Sequence, residues 1–179
     1  MTLLRCELRG GPELFEGGIA SDLANNVQVE AEGSWDQFTT NVGAGRSVII
    51  QTDSLTTGSL PQVGTPCVQV RGQRSGLATP PVVTAGEIRT SCSNSDRPFM
   101  QAPVEAETST SVTLLGFAID VSNAQWEDIN GQPIPTLAAF LNAITPATTN
   151  AAGVSVGGTL VKVTFDSGTN LVRQAEIED

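Results

Sequence analysis

One segment carries the full 3.6-residue apolar repeat of a helix. Leu137, Phe140, Leu141 and Ile144 fall at i, i+3, i+4 and i+7, with Thr136 as N-cap ahead of them and Thr145-Pro146 behind as a stop. The other legible segments alternate with period two. Leu4, Cys6 and Leu8 alternate with Arg5, Glu7 and Arg9 near the start, and Val161, Val163 and Phe165 share a face near the end. One short amphipathic helix cannot bury its own stripe. It must cover sheet, so the chain is expected to be all-β with the helix capping an open end.

The C-terminal half is the more legible. Strands are expected over residues 99–107, 112–121 and 125–129, then the helix, then strands over 161–165 and 171–177. In the second of these, Leu115, Phe117, Ile119 and Val121 lie on one face, and Gly116 marks a bend in mid-strand. In the last, Leu171, Ala175 and Ile177 are expected to share the inner face. The order β-β-β-α-β-β is that of the five-stranded Greek-key barrel known as the OB-fold.

The N-terminal half repeats part of this grammar. It offers strands over 3–9, 27–32 and 46–52, and a helical turn carrying Phe15, Ile19 and Leu23. A hairpin of 68–72 with 82–91 follows. Val27-Gln28-Val29-Glu30 echoes Val68-Gln69-Val70-Arg71, and the hairpin end Ala85-Gly86-Glu87-Ile88-Arg89 echoes Ala175-Glu176-Ile177-Glu178. The expectation is two OB-like five-stranded barrels with one short helix each. The first is an incomplete or permuted repeat over 1–96 and the second spans 97–179, divided in the polar stretch from Ser93 to Arg97. The first half lacks the two opening strands of the order. The 68–91 hairpin is expected to fill those places and close a permuted barrel.

Composition narrows the chemistry. The 179 residues include no His and no Tyr, and 19 acidic residues against 9 basic ones give a net charge of −10. Without His there is no Ser-His-Asp or Cys-His catalysis and no His-ligated zinc. The negative charge opposes phosphate backbones and anionic membranes, so nucleic acid is not an expected partner. No run is apolar enough for a membrane span, and no metal or cofactor motif is present. The opening Met1-Thr2-Leu3-Leu4-Arg5-Cys6 has the outline of a lipoprotein cleavage motif. Arg5 directly before the Cys spoils it, and basic and apolar leader regions are missing; any export signal is expected upstream.

Three Cys is an odd number. Cys6 falls on an apolar strand face, as a small core residue. Cys67 and Cys92 flank the expected hairpin, where a disulfide would close its open end, although the pairing sets Cys67 opposite Ser91. The alternative is two unpaired thiols at loop edges.

Phe15-Glu16-Gly17-Gly18, Asp22-Leu23, the run from Val27 to Gly33 and the hairpin end at Ala85-Gly86-Glu87-Ile88-Arg89 resemble the repeats of an uncharacterised bacterial family, the domain of unknown function numbered 5666. That resemblance implies repeated OB-like barrels in exported or periplasmic, envelope-associated proteins. It carries no catalytic residues to transfer.

The carboxylate pairs Glu30 with Glu32, Glu105 with Glu107 and Glu176 with Glu178 each share a strand face. Such pairs could serve glycoside hydrolysis, or they are solvated outer-face charges, the reading preferred here. The only lysine, Lys162, lies opposite an apolar strand face and is read as solvated. Trp35, Phe38 and Trp126 are the binding candidates, because OB barrels often hold sugars or single strands on exposed aromatics. The neighbouring Asp36, Glu127 and Asp128 disfavour nucleic acid and suit a sugar or peptide. The alternative is that both Trp residues are barrel core. The expected function is a non-enzymatic module that scaffolds, or binds a protein or carbohydrate partner. A carboxylate-based hydrolase is second and an OB-type nucleic-acid binder third.

Overall fold

The structure is a computed structural model. It describes residues 3–7, 28–33, 47–51, 54–58, 68–74, 81–89, 99–149, 151, 155–166 and 171–178. The strands of the first half are β1 (Leu3–Glu7), β2 (Gln28–Gly33), β3 (Ser47–Gln51), β4 (Thr57–Gly58), β5 (Val68–Arg74) and β6 (Val82–Arg89). Those of the second are β7 (Phe99–Pro103), β8 (Ala106–Glu107), β9 (Ser111–Leu114), β10 (Phe117–Asp120), β11 (Gln125–Glu127) and β12 (Pro133–Ile134). Helix α1 (Leu137–Ala143) follows, then β13 (Thr148–Thr149), β14 (Ser155–Val156), β15 (Leu160–Phe165) and β16 (Val172–Glu178). The all-β reading with a single helix holds for the described residues.

The helix forms where its stripe lies. The Thr136 side chain accepts from Ala139 N at 3.1 Å, filling one of the orphan donors of the first turn. Phe140 is fully enclosed and Ile144 is buried, while Leu137 and Leu141 pack partly buried against the core. Ala138 and Asn142 face solvent. The helical turn expected around Phe15, Ile19 and Leu23 lies outside the described residues.

The main sheet runs β1-β3-β6-β5-β2-β7-β15-β16-β11-β12, with β4 beside β6. The β5–β6 hairpin inserts between β3 and β2 in the first half, but the closed permuted barrel expected of it is not formed. The sheet does not close, and two separate barrels are not formed. β2 pairs antiparallel with β7, so one open sheet passes through both halves, and a single buried cluster includes Val70, Val83 and Ile88 with Met100, Val163 and Phe165. The expected division at 96/97 lies outside the described residues.

Two further expectations are corrected. The strand expected over 112–121 is a tight hairpin: Leu115 (φ 53°) and Gly116 (φ 81°) reverse the chain, and Phe117 pairs with Leu114. Two successive positive φ values make the turn that matches the twist of the flanking strands. Period two cannot distinguish a bend from a reversal, because both leave apolar residues on one side. The inner face of the last strand also differs. Register shifts between Thr164 and Phe165, leaving Arg173 as an extra residue. That bulge turns Val172 inward and leaves Leu171 at 65% exposure, where the sequence pattern put Leu171 inside.

Candidate functional site

β10 ends at Asp120, whose carboxylate accepts from Ser122 N at 2.8 Å and so turns the chain. Val121 N donates to Thr110 O at 2.9 Å, which holds the exposed loop between β8 and β9 against this turn. The chain then resumes as β11, parallel to β16, with Gln125 opposite Gln174 and Trp126 opposite Ala175. Beside this pairing lies a cleft of about 430 Å³, lined by Asp120, Asn123, Gln125, Asp166, Leu171 and Arg173.

Its far wall is the end of the β15–β16 hairpin. Asp166 N donates to Leu171 O at 3.0 Å, and the Arg173 guanidinium stands 3.7 Å from the Asp166 carboxylate. The bulge at Arg173 therefore does two things. It exposes Leu171 as an apolar wall and aims a cation toward Asp166. The wall opposite carries one carboxylate and two amides. Hydrogen bonds from the Ser122 hydroxyl and backbone N–H hold the Asp120 carboxyl below its ordinary value, so it is ionised near neutral pH. The cleft thus offers acceptors, donors and an aliphatic surface to a polar ligand.

The sequence candidates fare differently. Trp126 is half-buried, packs against the core, and donates through Nε1 to Val121 O at 2.9 Å. Its polar edge is taken up by the chain itself, close to the cleft. Trp35 and Phe38 lie outside the described residues, as do Cys67 and Cys92. Cys6 lies on β1.

The carboxylates of Glu105, Asp128, Glu176 and Glu178 have structural partners, while the side chains of Glu30 and Glu32 lie outside the described residues. Lys162 Nζ stands 3.3 Å from Glu176 and 3.6 Å from Glu178, and lies 5.4 Å from the centre of the Phe99 ring. Glu105 Oε2 accepts from Gly116 N at 3.1 Å, pinning the β9–β10 turn. Asp128 accepts from Asn130 N and Gln132 N, both at 2.8 Å, capping the turn after β11. Among the described residues no cluster of His, Cys, Asp and Glu could hold a metal ion, and no helix is long and apolar enough to cross a membrane.

The cleft residues Asp120, Asn123, Gln125 and Arg173 escape a sequence reading. Asp120, Asn123 and Gln125 follow one another through the end of β10, the turn and the start of β11, but Arg173 comes from β16. The one local signal is Asp120-Val121-Ser122-Asn123, a turn-forming cluster that marks a loop without marking a site. No family model matches the chain, and searches of curated proteins and of solved structures find no similar one.

Proposed function

We propose that this chain is a non-enzymatic β module of a bacterial envelope or exported protein, binding a carbohydrate or protein partner in the cleft beside β11. The observation that carries this reading is the composition of the cleft: Asp120, Asn123, Gln125 and Arg173 facing an exposed Leu171. Planar amide, carboxylate and guanidinium groups bind hydroxyls or peptide groups, and an aliphatic wall takes the apolar side of either ligand.

Hydrolysis is less well supported. A carboxylic general acid needs its pKa raised. Asp120 in the cleft is shifted the other way, by the Ser122 hydroxyl and N–H.

The second half has features of an OB-like barrel. Taking β7 and β8 as one bent strand, and β10 and β11 as another, its pairings follow the order 1-2-3-5-4. The support is specific: β11 and β16 are parallel while every other pairing on this path is antiparallel, as that plan requires.

The test is a titration followed by backbone amide shifts, using a panel of neutral oligosaccharides and short peptides. Binding should move Asn123, Gln125 and Arg173, and Arg173→Ala should weaken it. Ligand-induced shifts confined to the opposite end of β15 and β16 would reject this site.

A further inference from the structure

The pairings of the main sheet repeat one plan twice. β5 with β6 and β15 with β16 are both antiparallel hairpins, and in each the second strand carries one extra residue. Gly86 is the extra residue between the pairs Arg71↔Glu87 and Gly72↔Ala85. Arg173 is the extra residue between Thr164↔Gln174 and Phe165↔Val172. Aligning these two bulges equates Gly86 with Arg173, Val70 with Val163 and Ile88 with Ala175.

The neighbouring pairs then coincide without further adjustment. The parallel pairs Thr57↔Glu87 and Gly58↔Ile88 fall onto Gln125↔Gln174 and Trp126↔Ala175. On the other side, Gly33↔Val68 falls onto Ala102↔Val161, which equates Ala31 with Met100. The alignment also replaces the sequence echoes. Gln28 to Glu30 and Val68 to Arg71 belong to different places in the plan, and Ala85 corresponds to Val172, not to Ala175. The units differ in chain order, since β1 precedes β2 while its counterpart β9 follows β7.

β2 and β7 join the two units through Glu30↔Gln101, Ala31↔Met100 and Glu32↔Phe99. Under the alignment Glu30 corresponds to Phe99 and Glu32 to Gln101. The first and third pairs therefore exchange, and the middle pair joins a position to its own counterpart. This is the register of a local two-fold axis between Ala31 and Met100. Antiparallel pairing is made by backbone groups, so equivalent places can hold Glu-Ala-Glu on one side and Phe-Met-Gln on the other.

The geometry points to the facing edges of β2 and β7 as a self-complementary docking edge, which fits another unit of the same pairing plan. Within this chain β2 occupies the edge of β7. Once β2 is displaced, the occupant is β7 of a second copy, with Met100 opposite Met100. This inference is independent of any ligand in the cleft.

The test uses the full chain carrying Ala31→Pro, which removes one ladder N–H and forces β2 away. Light scattering should find a concentration-dependent dimer in which the β7 amides that point away from β15 stay protected from hydrogen exchange. A monomer with those amides exchanging freely, while Val161 and Val163 remain protected, overturns the proposal. A second variant keeps it falsifiable if Ala31→Pro unfolds the chain. Placing Phe-Met-Gln-Ala at positions 30–33 tests the equivalence directly. The variant with Glu30→Phe, Ala31→Met, Glu32→Gln and Gly33→Ala should fold and protect the β7 amides that point away from β15. The same four residues placed one position later, at 31–34, should not, because a one-residue slip reverses every side chain. Equal behaviour of the two grafts overturns the two-fold register.

Discussion

The indole Nε1 of Trp126 donates to the carbonyl of Val121, 2.9 Å away and five residues back, across the turn that borders the cleft. The bond ties β11 to the end of β10, and the ring packs against the core. Trp126→Phe keeps most of the packing and leaves that carbonyl with the Ala124 N–H alone, 3.2 Å away. The expected loss is about 1 kcal/mol in urea unfolding. An unchanged midpoint would mean that the ring alone holds the turn.

Phe140 is the only helix residue with no exposure. Phe140→Ala should cost about 3–5 kcal/mol, while Asn142→Ala on the outer face should stay within about 0.5 kcal/mol. Losses of similar size at the two positions would place the helix loosely on the sheet.

Gly116 adopts φ 81° in the β9–β10 turn. Adding a Cβ there strains the backbone, so Gly116→Ala should destabilise by about 1–2 kcal/mol. Thermal unfolding checks this. A neutral result would mean that the turn relaxes to another form.

Asp120 and Asp128 lie below the ordinary carboxyl value of 3.8. For Asp120 the cause is the Ser122 hydroxyl, then the Ser122 N–H. For Asp128 it is the backbone N–H groups of Gln132 and Asn130. A folded pKa below the unfolded one adds stability that is complete above the unfolded value. That stability disappears as pH falls through the folded value. The difference in urea midpoint between the native chain and Asp128→Ala should therefore shrink on acidification below about pH 4. A gap constant from pH 7 to the acid limit would show that the carboxylate charge does not supply it.

A specific protease site placed between Ser93 and Arg97 should yield two fragments that co-elute, because β2 pairs with β7 and one buried cluster draws on both halves. Fragments that separate in native buffer would make the halves independent.

The sequence by itself determined the local features of this protein. Thr136 and the stripe from Leu137 to Ile144 specify the helix, because cap and spacing act within a few residues of one another. Val161, Val163 and Phe165 declare an inner face for the same reason. Only the tertiary structure decided what those elements meet. Period two names a face but neither a neighbour nor a register, so the parallel partner of Trp126 and the pairing of Ala31 with Met100 were invisible. The bulge at Arg173 exists only because β15 and β16 pair with unequal counts, and it alone turns Leu171 outward and brings Arg173 to Asp166. The cleft follows from that mismatch and from the parallel docking of β11 on β16, which no local pattern encodes.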